Sequence, residues 1–106
     1  MDRSDIIKLI PITYEKDADG IKHAVESEPR TVMCQVNSVT RSEFFDGGRN
    51  GLNPEFVFMV FFADYDGERV VEYRGKRYSI YRTYHGRNDI MELYAERKGG
   101  TNGSSQ

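Results

Sequence analysis

From Phe56 onward the chain alternates short apolar runs with polar, glycine-containing turns. FVFMVFF (Phe56 to Phe62) breaks at Tyr65-Asp66-Gly67, and ERVVEY (Glu68 to Tyr73) at Arg74-Gly75-Lys76. RYSIYRTY (Arg77 to Tyr84) then breaks at His85-Gly86-Arg87-Asn88, and DIMELYAERK (Asp89 to Lys98) follows. Runs rich in β-branched and aromatic residues, punctuated this way, predict antiparallel strands joined as a meander. In the last strand Met91, Leu93 and Ala95 alternate with Glu92, Tyr94 and Glu96, which predicts one buried and one wet face. Earlier in the chain Val32, Cys34 and Val36 share a face opposite Gln35 and Asn37. Ile6 to Tyr14 is also β-prone but contains Pro11, which removes a ladder donor and predicts an edge strand or a mid-strand break. Beyond the polar loop Glu15 to Gly20, Ile21 to Val25 starts a returning strand, and Glu26 to Arg30 forms another loop.

Val39 to Pro54 departs from this pattern. Thr40-Arg41-Ser42-Glu43 fits a capping box with Thr40 as N-cap, and Val39 and Phe44 stand at staple positions. The expected helix lasts a turn or two and is ended by Gly47-Gly48. A mobile, glycine-rich excursion then runs to Pro54. The prediction is a mainly β, small antiparallel barrel of about six strands with one short helix and a flexible Gly-rich loop. Residues 1–98 would form a single domain, and 99–106 (GGTNGSSQ) a disordered tail.

One strand is unusual. Phe56, Phe58, Val60 and Phe62 line one face of their run while Val57, Met59 and Phe61 line the other. A strand on a one-sided sheet would alternate with polar residues. Phe44 and Phe45 of the helix cover the second face, another subunit buries part of it, or both hold.

Charge and composition narrow the possibilities. The formal net charge is −2, and the chain up to Asn53 holds seven Lys/Arg against nine Asp/Glu, the rest eight against eight. Neither half is basic, which argues against sequence-independent phosphate binding. A lone cysteine, Cys34, excludes an internal disulfide and a cysteine-based zinc site, and its apolar face suggests a small buried hydrophobe. The longest apolar run, Phe56 to Ala63, is too short to span a membrane as a helix. A soluble protein from a reducing compartment is expected. His23 and His85 sit in or beside predicted turns without a companion carboxylate at ligand spacing. Asp64, Asp66 and Glu68 lack the spacing of a calcium loop, and Gly47 to Gly51 lacks the Lys-Ser/Thr of a phosphate loop. No catalytic, cofactor or metal residues are assigned, and no enzymatic activity is expected. Arg74, Lys76, Arg77, Arg82 and Arg87 cluster near one hairpin, where charged strand surfaces guard against aggregation.

Three segments together resemble the phage head–tail joining family, the head-completion or head–tail adaptor proteins of tailed phages and prophages. They are TRSEFFDGGRNGLNPEFVF (Thr40 to Phe58), ADYDGERVVEYRGKRYSIYRTY (Ala63 to Tyr84) and DIMELYAERK, within a likeness running from Ile6 to Lys98. The most telling part is Arg41-Ser42-Glu43-Phe44 before a Gly-containing loop, followed by a strand and the hairpin pattern Val71-Glu72-Tyr73-Arg74-Gly75-Lys76-Arg77-Tyr78-Ser79-Ile80. The resemblance implies a barrel that works in the virion as a ring of about twelve copies, between a portal or adaptor protein and a tail-completion or tail-terminator protein. It further implies synthesis in the bacterial host cytoplasm and passage of packaged double-stranded DNA without sequence-specific binding or membrane contact. Carried onto this chain, the channel-facing loop is Asp46, Gly47, Gly48, Arg49, Asn50, Gly51, Leu52 and Asn53. Thr40, Glu43, Phe44 and Phe45 would be the helix and interface residues. Arg49 and Asp46 offset each other, so closure of the channel would be steric and collective. A different reading of the same barrel is a single-stranded nucleic-acid-binding module of oligonucleotide-binding type, stacking bases on Tyr78, Tyr81, Tyr84 and Tyr94.

Overall fold

The computed structural model describes residues 4–97. Six of its eight strands close into an antiparallel barrel in the order β1-β4-β5-β8-β7-β6. These are β1 (Asp5–Ile10), β4 (Arg30–Ser38), β5 (Pro54–Phe61), β6 (Val70–Tyr73), β7 (Lys76–His85) and β8 (Ile90–Arg97). The other two, β2 (Ile12–Lys16) and β3 (Lys22–Glu26), pair only with each other. The expected small barrel with a single short helix is present. The expected tail from Gly99 lies outside the described residues.

Pro11 marks the break between β1 and β2. β1 stays in the barrel, where Ile7 lies opposite Val32 on one side and Leu9 opposite Val71 on the other. This double pairing closes the barrel and removes the sheet edges. Alternation fills the interior with Ile7, Leu9, Val32, Cys34, Phe58, Val60, Val71, Ile80, Leu93 and Ala95. Phe56, Phe58, Tyr73 and Tyr78 meet edge to face at the centre, with centroids 5.3 Å apart for Phe58–Tyr73 and 5.5 Å for Phe56–Tyr78. Burial pushes the Cys34 thiol up to about 12, which keeps it protonated. The β6–β7 turn uses two residues, Arg74 and Gly75, both at positive φ (52° and 76°). That backbone twist suits a tight hairpin, and glycine adopts it without penalty.

The stretch between β4 and β5 differs from expectation. The helix α1 spans Arg41–Arg49 and runs through Gly47 and Gly48. It stops at Gly51, whose φ is +79°. There the Leu52 N–H donates to the Gly47 carbonyl at 2.8 Å and the Gly51 N–H to the Gly48 carbonyl at 3.2 Å. This double bond pattern around a left-handed glycine is how helices commonly end. Gly47 has another role. It is buried against Pro54, and a Cβ built there would stand 2.3 Å from the prolyl Cγ. The glycine lets α1 approach the start of β5, so only Asn50 to Asn53 remain to connect them.

The N-cap is half of the expected box. Thr40 Oγ1 accepts from the Glu43 N–H at 3.1 Å. The Glu43 carboxylate points away from the cap to the barrel wall.

β4 gives the molecule two opposite ends. The β2–β3 arm precedes Arg30 and α1 follows Ser38, which places them roughly 25–30 Å apart along a nine-residue strand. The radius of gyration, 14.9 Å, exceeds the roughly 13 Å of a compact domain of this size, as a projecting arm would make it.

Candidate functional site: the helix and the groove beside it

α1 is fastened to the barrel by one carboxylate. Glu43 Oε1 accepts from Arg82 Nη2 at 2.7 Å, and its Oε2 accepts from the Tyr81 hydroxyl at 2.5 Å. Tyr81 and Arg82 both face outward because β7 bulges between Ile80 and Arg82. The Arg82 guanidinium also lies 3.6 Å over the Tyr94 ring, and the Tyr94 hydroxyl donates to Glu92 Oε1 at 2.6 Å. Its bond to Arg82 holds the Glu43 carboxyl below the usual carboxylate range, with the Tyr81 hydroxyl assisting against partial burial. Burial and the Glu43 carboxylate push the Tyr81 phenol up. Every polar member of this seam has a partner, so it orients the helix and presents no idle reagent.

With the helix held this way, Phe44 and Phe45 turn away from the barrel. They remain 48 % and 55 % exposed and contact each other edge to face at 5.7 Å. The expectation that they cover the second face of β5 is therefore corrected. The outer sides of Val57 and Met59 instead line a shallow depression together with Glu43, Arg82 and Tyr94. Phe44 and Phe45 form one wall of an open groove of about 650 Å³, whose other sides are Val39, Arg41, Pro54 and Glu55. Val39 and Phe44, the two staple positions, both line this groove.

The predicted channel loop is largely structured. Asp46, Gly47, Gly48 and Arg49 form the last turn of α1, and Asn50, Gly51, Leu52 and Asn53 the connection to β5. Asp46 and Arg49 are exposed and pair at 3.0 Å. Asn50 Nδ2 donates to the Asp46 carbonyl at 2.8 Å, and the Asn53 N–H to Glu96 Oε1 at 3.1 Å.

Other candidates resolve differently from the sequence reading. Both histidines have a carboxylate companion after all: His23 Nε2 lies 2.7 Å from Asp17 Oδ2, and His85 Nε2 lies 3.5 Å from Asp89 Oδ1. The arm's turn brings Asp17 across to β3, which linear spacing conceals. His85 also stacks on Phe62 at 4.2 Å, because β5 ends at Phe61 and Phe62 turns into a 3-10 segment. Of the basic cluster, Arg74 pairs with Asp5, Arg77 with Glu26 and Glu72, and Arg82 with Glu43. Among the four tyrosines offered for base stacking, Tyr78 is buried in the core, Tyr81 and Tyr94 belong to the Glu43 seam, and Tyr84 is exposed. Glu68 is buried and pairs with the exposed Arg30, whose Nη2 donates to it at 2.6 Å. Among the described residues no group of three or more His, Cys, Asp or Glu is placed to hold a metal, and no helix is long and apolar enough to cross a membrane.

Two features of this surface escaped the sequence. The bulge at Tyr81 carries no local signature, although the run Tyr81-Arg82-Thr83 does interrupt the alternation. The groove joins Val39 and Arg41 to Pro54 and Glu55 across the whole helix. Compared with known protein families and with characterised proteins, the chain matches none.

Proposed function

We propose that this chain is a structural phage or prophage protein that forms a ring at the head–tail connector, joins the DNA-filled head to the tail and helps retain packaged DNA. The observation carrying this reading is the Phe44–Phe45 pair: a helix rigidly held by Glu43 keeps two large aromatic rings half in water beside an apolar groove. Side chains of this kind in contiguous patches mark surfaces that another chain covers. The sequence resemblance names the assembly, with other copies of this chain as lateral neighbours. A portal or adaptor protein would stand on the head side and a tail-completion or tail-terminator protein on the tail side.

In that ring the Asp46–Asn53 segment, following the helix directly, is the element assigned to the channel. Its one arginine is paired with its one aspartate, so it offers passing DNA little net charge. A wall studded with free cations would make many simultaneous phosphate contacts and hold the DNA back. Electron microscopy of particles made without this protein tests the proposal. Heads that leak DNA and tails that stay unattached are expected; normal, infectious particles would refute it.

A further inference from the structure

Asn50 is followed by Gly51, and both are exposed at the end of α1. That order carries chemistry of its own. An asparagine side-chain amide can be attacked by the backbone nitrogen of the next residue, and a glycine there, lacking Cβ, hinders the approach least. The nitrogen gives its proton to base and bonds to the asparagine Cγ, the Cγ–Nδ2 bond breaks, and ammonia leaves. Water then opens the resulting succinimide ring at either carbonyl, leaving aspartate or isoaspartate. Water is the only reagent consumed.

The closed helix end holds each reacting atom out of position. The Gly51 N–H donates to the Gly48 carbonyl at 3.2 Å, and a bond made by the protonated nitrogen opposes loss of that proton. Asn50 Nδ2 donates to the Asp46 carbonyl at 2.8 Å, which draws the side-chain amide back along the helix. The Asn50 N–H donates to the Gly47 and Gly48 carbonyls, with its backbone at ψ 15°. At that angle the Gly51 nitrogen stands well round the Cα–C bond from the Asn50 side chain. This end is also pinned to the barrel. Gly47 is buried against Pro54, the Leu52 N–H reaches back to the Gly47 carbonyl, and the Asn53 N–H bonds Glu96.

We propose that Asn50 is a deamidation site gated by the end of α1, unreactive while the helix is docked on β5 and reactive when it comes away. The product does not fit the closed end. Conversion removes the Nδ2 donor and sets a carboxylate among the helix's last carbonyls, at the negative end of its dipole. Arg49, the cation of this turn, is already paired with Asp46. Isoaspartate in addition lengthens the backbone of a four-residue connection. The reaction therefore makes an opening of the helix end one-way, and marks each copy in which it has happened. This inference is independent of the ring reading.

The test follows the purified full chain in mildly alkaline buffer, with and without guanidinium chloride, by peptide mapping for the amide-to-acid mass gain and for isoaspartate at Asn50. Conversion should run at least about tenfold slower in native buffer, since only the open fraction reacts. Gly47→Ala pushes α1 off Pro54, and Glu43→Ala unfastens it from Tyr81 and Arg82. Each should speed the native reaction at least about fivefold and leave the denatured rate unchanged; either suffices where the other fails to fold. Asn50→Asp supplies the product directly and should accelerate amide exchange at Gly51 and Leu52 about tenfold over the parent.

An Asn50 that stays intact in denaturant overturns the site. Equal rates with and without denaturant, or folded variants that react at the parent's pace, overturn the gate. Exchange in Asn50→Asp that matches the parent overturns the one-way step.

Discussion

Gly47 and Gly48 are neighbours in the same helix, and alanine should have opposite effects at the two positions. In a helix interior, Gly→Ala gains about 1 kcal/mol from backbone entropy and propensity. At Gly48 nothing lies within 4 Å of the added Cβ, so the gain stands, reduced somewhat by proximity to the helix end. At Gly47 the Cβ would fall 2.3 Å from Pro54 Cγ and 3.0 Å from Pro54 Cδ. The prolyl ring cannot swing aside, because it belongs to the first residue of β5. Either the helix or the strand must move, and overpacking of this kind costs about 1–3 kcal/mol. The propensity gain is common to both variants, so their difference isolates the clash.

Gly48→Ala should therefore exceed Gly47→Ala in stability by about 1–3 kcal/mol. In thermal melts each kcal/mol corresponds to about 4–8 °C for a domain of this size. Urea titrations with an unchanged slope would confirm that the difference lies in the folded state. If the two variants melt together, or Gly47→Ala is the more stable, the close approach of α1 to Pro54 is wrong. The glycine pair would then be the helix terminator that the sequence suggested.

Two further predictions concern carboxylates paired with arginine. The Glu68 side chain is only 3 % exposed, and burial by itself would raise its carboxyl, but the bonds from Arg30 and backbone N–H groups outweigh that and hold it low. A carboxyl lowered by folding adds stability above its unfolded pKa, and that contribution is lost as pH falls through the folded value. Glu68→Gln should consequently flatten the acid limb of stability against pH. Arg30→Ala should cost up to about 3 kcal/mol at neutral pH, the low end for removing one partner of a buried pair, because Arg30 is itself 42 % exposed. An unchanged acid limb in denaturant titrations of Glu68→Gln would refute the assignment. On the other side of the barrel, Glu43→Ala removes the bonds that hold α1 to Tyr81 and Arg82. A loss of about 1.5–3 kcal/mol is expected, with amide exchange accelerating in α1 ahead of the barrel strands. Exchange that rises uniformly would show that the seam does not fasten the helix separately.

The barrel was legible where neighbouring residues carry the information. Met91 to Glu96 alternates as a half-buried strand must, and Arg74-Gly75 supplies the two positive-φ positions of the β6–β7 turn. Pro11 announced the break that separates the arm from the wall. Which strands close the barrel was not legible, because the closing pair joins β1 to β6 across most of the chain, and no local pattern encodes that register. The helix misled for a related reason. Glycine ends helices by adopting positive φ, but it also permits close contact, and the sequence does not say which use a glycine serves. Here Gly51 takes the first role and Gly47 the second. Glu43 read as a capping residue until the fold delivered Arg82 and Tyr81 from nearly forty positions away.

Phe44 and Phe45 show how such long-range contacts determine what a surface can do. Their hydrophobicity suggested that they would shield β5, yet Glu43 precedes them by one position and commits that side of the helix to the barrel. Residues one and two places further round an α-helix point away from it by roughly 100° and 200°. The same ion pair that fixes the helix therefore turns its aromatic rings outward. An arrangement driven only by burial within one chain would have placed them inward, toward Val57 and Met59. Their outward position is a cost to the isolated subunit, which the proposed assembly would recover by covering them.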